Sequence, residues 1–233
     1  MLEPDSTARM PPPEGVPARF GPDALQILTA EHWSLLSARS LVYAESMSRA
    51  SIFIAALSGS VVALALVAQA DDFGSGFVAF ALVLLPVVYF LGVVTIARLA
   101  QVNRENRLWV QGMNRIRNAY LQIAPELEPY FVTSRYDDED AVLRSSLAAQ
   151  KPLSRMQPFI SAPGVIAVID SVVAGAAAGI AAVGLDLGVG AALALGTVLF
   201  LVSVVFFAVW ARSQLGRVPT DLEPMFPSPD RLP

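Results

Sequence analysis

Asp170 is the residue of this chain whose setting most favours chemistry, because it lies inside a long apolar segment, about six residues from its first residue, Gly164. That position is roughly 10 Å into the hydrocarbon of a bilayer. A bare carboxylate is costly there, so it must face water, accept hydrogen bonds or stay protonated. Ser58, Tyr89 and Ser203 lie at about the same depth in three other apolar segments, and we expect a polar layer around Asp170. Such a layer fits an ion or proton site, or a hydrogen-bonded lock between helices.

The segment that carries Asp170 is also rich in small residues, since eight of the nine residues from 174 to 182 are Ala or Gly. Gly175 and Gly179 have the spacing that lets two helices approach closely. On a helical wheel this pair lies about 140° from Asp170, so one face can pack while the other lines a cavity. We expect the segment to be central, with the glycine pair packing against a second subunit or within the same chain.

Three acidic residues, Asp71, Asp72 and Asp186, lie in the two shortest connections between apolar segments. They predict a negative outer ring that would concentrate cations if subunits surround a pore. A pathway for ions is expected along an oligomer axis, because four helices enclose little space. The alternative is that these acids only satisfy the rule that excludes bases from outer loops.

Other kinds of site are poorly represented. His32 is the sole histidine and cysteine is absent, so we expect no metal site and no cofactor. Gly-rich phosphate loops, nucleophile–base sets and zinc-protease signatures are not found, and we predict that the protein is not an enzyme. The net charge of −4 argues against a nucleic-acid partner.

Four apolar segments must position these residues, and each has about the 20 residues needed to cross a bilayer. The composition is 55% hydrophobic and 15% charged, with a mean hydropathy of +0.55. We predict an all-α integral membrane protein with four transmembrane helices in two hairpins, in contact with the lipid bilayer. The segments run from Ala50 to Ala70, Gly76 to Ala97, Gly164 to Gly184 and Gly188 to Ala211.

The sixteen Lys and Arg residues all fall on one side of these segments. Since positive loops stay in the cytoplasm, both termini and the central loop are predicted to be cytoplasmic. Arginine strongly outnumbers lysine, which favours a GC-rich bacterium, and we place the chain in a bacterial inner membrane as a multi-pass protein.

The first two segments are expected to continue past the membrane as helical arms, because few helix breakers interrupt residues 23–70 or 76–123. Apolar residues alternate three and four apart on both arms, which predicts antiparallel packing. The arm residues expected in this packing are His32, Trp33, Trp109, Met113 and Tyr120.

These patterns predict six consecutive regions. They are a Pro-rich disordered tail (1–22), a cytoplasmic helix continuous with the first span (23–49), a hairpin (50–97), a cytoplasmic helical region (98–163), a second hairpin (164–211) and a flexible tail (212–233).

Two strings of the arms carry a resemblance: LTAEHWSLL at 28–36 and QGMNRIRNAY at 111–120, which continues into APELEPYF at 124–131. They resemble a family of uncharacterised actinobacterial four-span membrane proteins over most of the chain. The resemblance implies the fold and the host group, but no activity.

Two functions are therefore expected. The first is a homo-oligomeric cation channel or pore, with the third span near the axis and Asp170 as its polar control site. The second is a non-conducting scaffold or signalling subunit that recruits a cytoplasmic partner through the arms around Trp33 and Trp109.

Overall fold

The computed structural model describes residues 20, 21, 23–147, 161–215 and 223–229. Within these ranges the chain is helical and has no strand. The elements are α1 (Ala24–Ala70), α2 (Ser75–Ile123), a 3₁₀ helix (Pro125–Tyr130), α3 (Glu139–Leu147), α4 (Ala162–Gly184) and α5 (Gly188–Leu215). Helices α1, α2, α4 and α5 are long and apolar enough to cross a membrane, which confirms the all-α four-span fold.

The first two helices are continuous rods of 47 and 49 residues, each about 70 Å long at 1.5 Å per residue. Pro86 lies inside α2 without ending it. The prediction that both spans continue into long helical arms is therefore confirmed. The predicted tail at 1–22 falls almost wholly outside the described residues, as does the 148–160 part of the central region.

The spans pack in the order α1, α2, α4, α5, with each helix against the next. A Cβ atom at Gly184 would lie 2.7 Å from Cγ1 of Val78, so the end of α4 meets the start of α2. Both hairpin turns are therefore at the same end of the bundle. Helix α4 is the most enclosed span, with 39% of its most apolar stretch buried against 11–22% in the others. Its predicted central position is confirmed.

The arms of α1 and α2 pack outside the apolar segments. Val110 and Met113 of α2 form a buried cluster with Val142 of α3, and Leu35 of α1 packs against it. Near the apolar segments, Arg98 donates to Glu45 across the two arms at 2.9 Å. The hydrogen bonds from Arg98 and Arg49 lower the pKa of the Glu45 carboxyl.

Part of the region predicted to be a flexible tail (212–233) is structured, and residues 216–222 and 230–233 lie outside the described residues. Helix α5 extends to Leu215, and residues 223–229 return to the α2 arm. The backbone N–H groups of Met225 and Phe226 donate to the Asp137 carboxylate at 2.9 and 2.7 Å. We call residues 223–229 the strap. The prediction missed the strap because its residues are held by hydrogen bonds to a buried carboxylate, which an apolar pattern does not reveal.

Candidate functional site

Asp170 is fully buried, at 0% exposure, where α4 meets α2. Its carboxyl occupies the space that Gly92 leaves, since a Cβ atom at Gly92 would overlap it. Neither carboxyl oxygen has a hydrogen-bond partner among the described residues. Burial of an unpartnered polar group is costly, so this carboxyl stands out from the surrounding apolar core.

The predicted polar layer around Asp170 is not formed. Ser58 is exposed on the surface of α1, and Tyr89 is half-buried against the apolar core. The Oγ of Ser203 lies 3.0 Å from the Oγ of Ser171, a hydrogen bond that does not include Asp170. A shared position along the spans does not fix the direction in which a side chain points.

Ser171 is the polar residue that the sequence reasoning missed. It is fully buried, and its Oγ donates to the carbonyl oxygen of Ala167 at 2.7 Å. Its position directly after Asp170 in an apolar segment was the available signal. The Ser171–Ser203 pair joins α4 to α5.

The glycine pair packs within the chain, which is the second of the two predicted arrangements. A Cβ atom at Gly175 would lie 2.8 Å from the carbonyl oxygen of Gly196, and one at Gly179 would lie 3.4 Å from that of Ala192. Both partners are on α5. One face of α4 thus contacts α2 through Asp170, and another contacts α5 through small residues.

The exposed stripe of α4 is apolar. Its large members are Val165, Val172 and Val183, each about half exposed. Because Asp170 and Ser171 face inward, α4 exposes no charged side chain that could line a water-filled pore.

The three acidic residues of the hairpin turns lie at the same end of the bundle, as predicted, but they differ in role. The Asp71 carboxylate accepts a hydrogen bond from the backbone N–H of Phe77 at 2.8 Å, so it caps the start of α2. Asp72 and Asp186 are exposed and have φ of 45° and 53°, a conformation that Asp tolerates in tight turns. Local turn structure accounts for all three residues.

Four of the five predicted arm residues pack as expected. The rings of His32 and Tyr120 stack with centroids 6.1 Å apart, Met113 is buried, and Trp109 is half-buried against the arm cluster. Trp33 is wrong as a packing residue, because its side chain is 62% exposed. It follows His32 by one residue and therefore points about 100° away from the arm contact.

The stacked pair gives the arms a pH dependence. Burial lowers the pKa of His32 below its ordinary value of 6.5, and the positive charge of Arg117 lowers it further. The folded state then binds fewer protons than the unfolded state, so its stability falls as pH decreases through 6.5. We expect a lower unfolding temperature at about pH 5.5 than at about pH 7.5. In His32→Phe, which keeps a ring against Tyr120, the difference between the two pH values should shrink. An unchanged difference would exclude His32 as the cause.

A second polar centre, which the sequence reasoning did not identify, lies at the base of the strap. Asp137 is fully buried and accepts a hydrogen bond from Nε of Arg115 at 2.6 Å, besides those from the strap. Asp138 accepts from the backbone N–H and the Oγ of Ser228, both at 3.1 Å. We call Asp137, Asp138 and Arg115 the clamp. It fixes the strap to the α2 arm by charge-assisted hydrogen bonds.

The far end of the arms exposes apolar side chains to water. The 3₁₀ helix after α2 and the loop behind it place Tyr130 at 79% and Val132 at 96% exposure. Further exposed members at this end are Leu25, Ile27, Ile123 and Leu127. We call these six residues the distal surface. Exposed apolar surface of this kind is typical of a contact site.

The fold and these sites define a class, that of all-α multi-pass membrane proteins. No family model, no curated protein and no solved structure matches this chain. The resemblance to an actinobacterial family therefore stays a prediction.

Proposed function

We propose that the protein is a homo-oligomeric, non-conducting membrane scaffold whose helical arms bind a partner protein in the cytoplasm of a bacterium. The observation that carries this proposal is the distal surface, which places Tyr130 and Val132 in water at the end of a folded arm. The clamp supports it, because a structured arm presents a contact site at lower entropic cost than a flexible one. The position of all sixteen Lys and Arg residues on one side of the spans supports the cytoplasmic orientation.

The chemistry around the distal surface supports one kind of partner. Glu126 lies on the same 3₁₀ helix and Glu139 begins α3 nearby in the chain, while Glu128 also pairs with Arg135 at 3.2 Å. Apolar side chains among carboxylates favour a partner whose apolar patch is bordered by Lys or Arg. Of the arm residues first expected to bind a partner, Trp109 is half-buried against the arm cluster and Trp33 is exposed.

Site-specific photo-crosslinking in native membranes tests the scaffold. Benzoylphenylalanine at position 130 or 132 should yield one heterologous protein adduct, and Glu126→Lys with Glu128→Lys should abolish it. The same probe at position 73, which is exposed in the opposite turn, is the matched control. Adducts with lipid or with the chain itself alone, or the same adduct from position 73, would overturn the proposal.

A cation pathway controlled by Asp170 is the second candidate, and one observation favours it. Both oxygens of this membrane-depth carboxyl lack a hydrogen-bond partner in the described part of the chain, as in a site that exchanges an ion or proton. The enclosure of Asp170 by Gly92 and the apolar exposed stripe of α4 count against a pore there.

Ion flux into liposomes separates the two candidates. The scaffold predicts no flux above that of empty vesicles, for the wild type and for Asp170→Asn alike. A wild-type flux that Asp170→Asn abolishes and Asp186→Asn leaves unchanged would establish the pathway instead.

A further inference from the structure

An uncharged stripe runs along α1 on the side away from α2, and all of its residues are exposed. Its positions recur every eleven residues, in three rows along the helix. The rows are Thr29, Ser40, Ser51 and Val62; Trp33, Ala44 and Ala55; and Leu36, Met47 and Ser58. Eleven residues are three turns at 3.67 residues per turn, close to the helical repeat, so the stripe stays on one face of the rod.

The stripe crosses from water into the membrane. Trp33, Leu36 and Met47 lie on the arm, where exposure of 62, 38 and 43% leaves apolar surface in contact with water. Ser51, Ala55 and Ser58 lie within the first apolar segment and face outward. A soluble protein would cover only the first part and lipid only the second. A long helix parallel to α1 covers both parts.

The composition of the stripe within the membrane differs from that of a lipid-facing surface. The exposed side of α5 consists mainly of large side chains such as Leu201, Val205 and Phe206. From residue 51 to 58 the stripe instead carries Ser, Ala and Ser, the residue types that the chain buries where α4 meets α5, and Val62 follows them. Small residues permit close helix approach, and hydroxyls can bond across the contact.

We propose that the stripe is the contact between two copies of this chain, with the two α1 helices packed side by side and parallel. A twofold axis normal to the membrane brings each residue near its own equivalent, and no like charges meet, because the stripe carries none. From residue 29 to 62 the contact is about 50 Å long, and with a width of about 12 Å it buries about 1,200 Å² in total. That area reaches the range of specific interfaces. This contact is the interface of the homo-oligomer in the proposed function, and the inference rests on that function.

Single-cysteine cross-linking of the full chain in membranes tests this contact, and the absence of native cysteine makes each introduced thiol unique. Ser40→Cys and Ser51→Cys should oxidise to disulfide-linked dimers, since a disulfide requires Cα atoms roughly 4.4–6.8 Å apart. Leu41→Cys and Ile52→Cys are matched controls, exposed but about 100° around the helix, and should cross-link several-fold less. Equal yields at stripe and control positions would overturn the proposal.

A second measurement does not depend on thiol geometry. Ala44→Trp with Ala55→Trp should separate the helices and lower the dimer fraction several-fold in single-molecule counting, whereas Leu41→Trp should not. An unchanged dimer fraction would overturn the interface. The photo-adduct at positions 130 and 132 reports partner binding separately, so failure of the stripe and failure of the scaffold are distinguishable.

Discussion

Replacement of Gly92 by Ala is expected to destabilise the spans by about 1–3 kcal/mol, the usual cost of an overpacked core. The added Cβ would overlap the Asp170 carboxyl, which is enclosed between α2 and α4 and has no open side to move into. In most helices the same change stabilises by about 0.8–1.0 kcal/mol. Gly92→Ala is therefore expected to lower stability, whereas Gly→Ala in a helix ordinarily raises it. Thermal unfolding of the purified protein in detergent measures it.

Two further variants isolate the cause. Gly59→Ala is the matched control, because a Cβ there meets nothing within 4 Å, and it should not lower stability. Asp170→Ala removes the carboxyl and should restore most of the stability lost in Gly92→Ala, which makes the two substitutions strongly non-additive. Equal effects of the two glycine substitutions, or no rescue by Asp170→Ala, would contradict the contact.

Loss of the Asp137 carboxylate should release the strap. Asp137→Ala leaves the Arg115 guanidinium and the N–H groups of Met225 and Phe226 without this acceptor. Breaking a buried pair costs about 3–5 kcal/mol, and we expect about 3 here because the Arg115 side chain is 25% exposed. Hydrogen exchange at residues 225, 226 and 228 should accelerate.

Glu126→Gln is the control for the clamp, since Glu126 is exposed on the 3₁₀ helix, and it should leave exchange in the strap unchanged. Arg115→Ala should also accelerate exchange, because Arg115 donates both to Asp137 and to the carbonyl oxygen of Glu223 at 2.9 Å. Persistent protection of the strap in Asp137→Ala would show that other contacts hold it.

The sequence predicted the helices well because span length and apolar content are properties of consecutive residues. Both long arms, the central position of α4 and the packing of His32, Met113 and Tyr120 follow from the same local periodicities. The prediction that the helices continue past the membrane required only that few helix breakers interrupt them.

The failures concern direction and distance in sequence. Ser58 was predicted at the depth of Asp170, but its side chain is exposed on the surface of α1. From the sequence, the glycine pair could pack against a neighbouring subunit or within the chain. Only the fold shows that it packs against α5. In the clamp, Asp137 contacts Met225 and Phe226, which come 88 and 89 positions later in the chain, and no local pattern encodes that contact.

The central claim of this account is that Asp170 is an enclosed packing element of a scaffold and not the lining of a pore. An electron cryomicroscopy map of the full-length protein in lipid nanodiscs tests it most directly. We predict two copies that meet along α1, with α4 enclosed between α2 and α5 and Asp170 against Gly92. A ring of subunits around a water-filled axis lined by α4, with Asp170 facing that axis, would contradict the account.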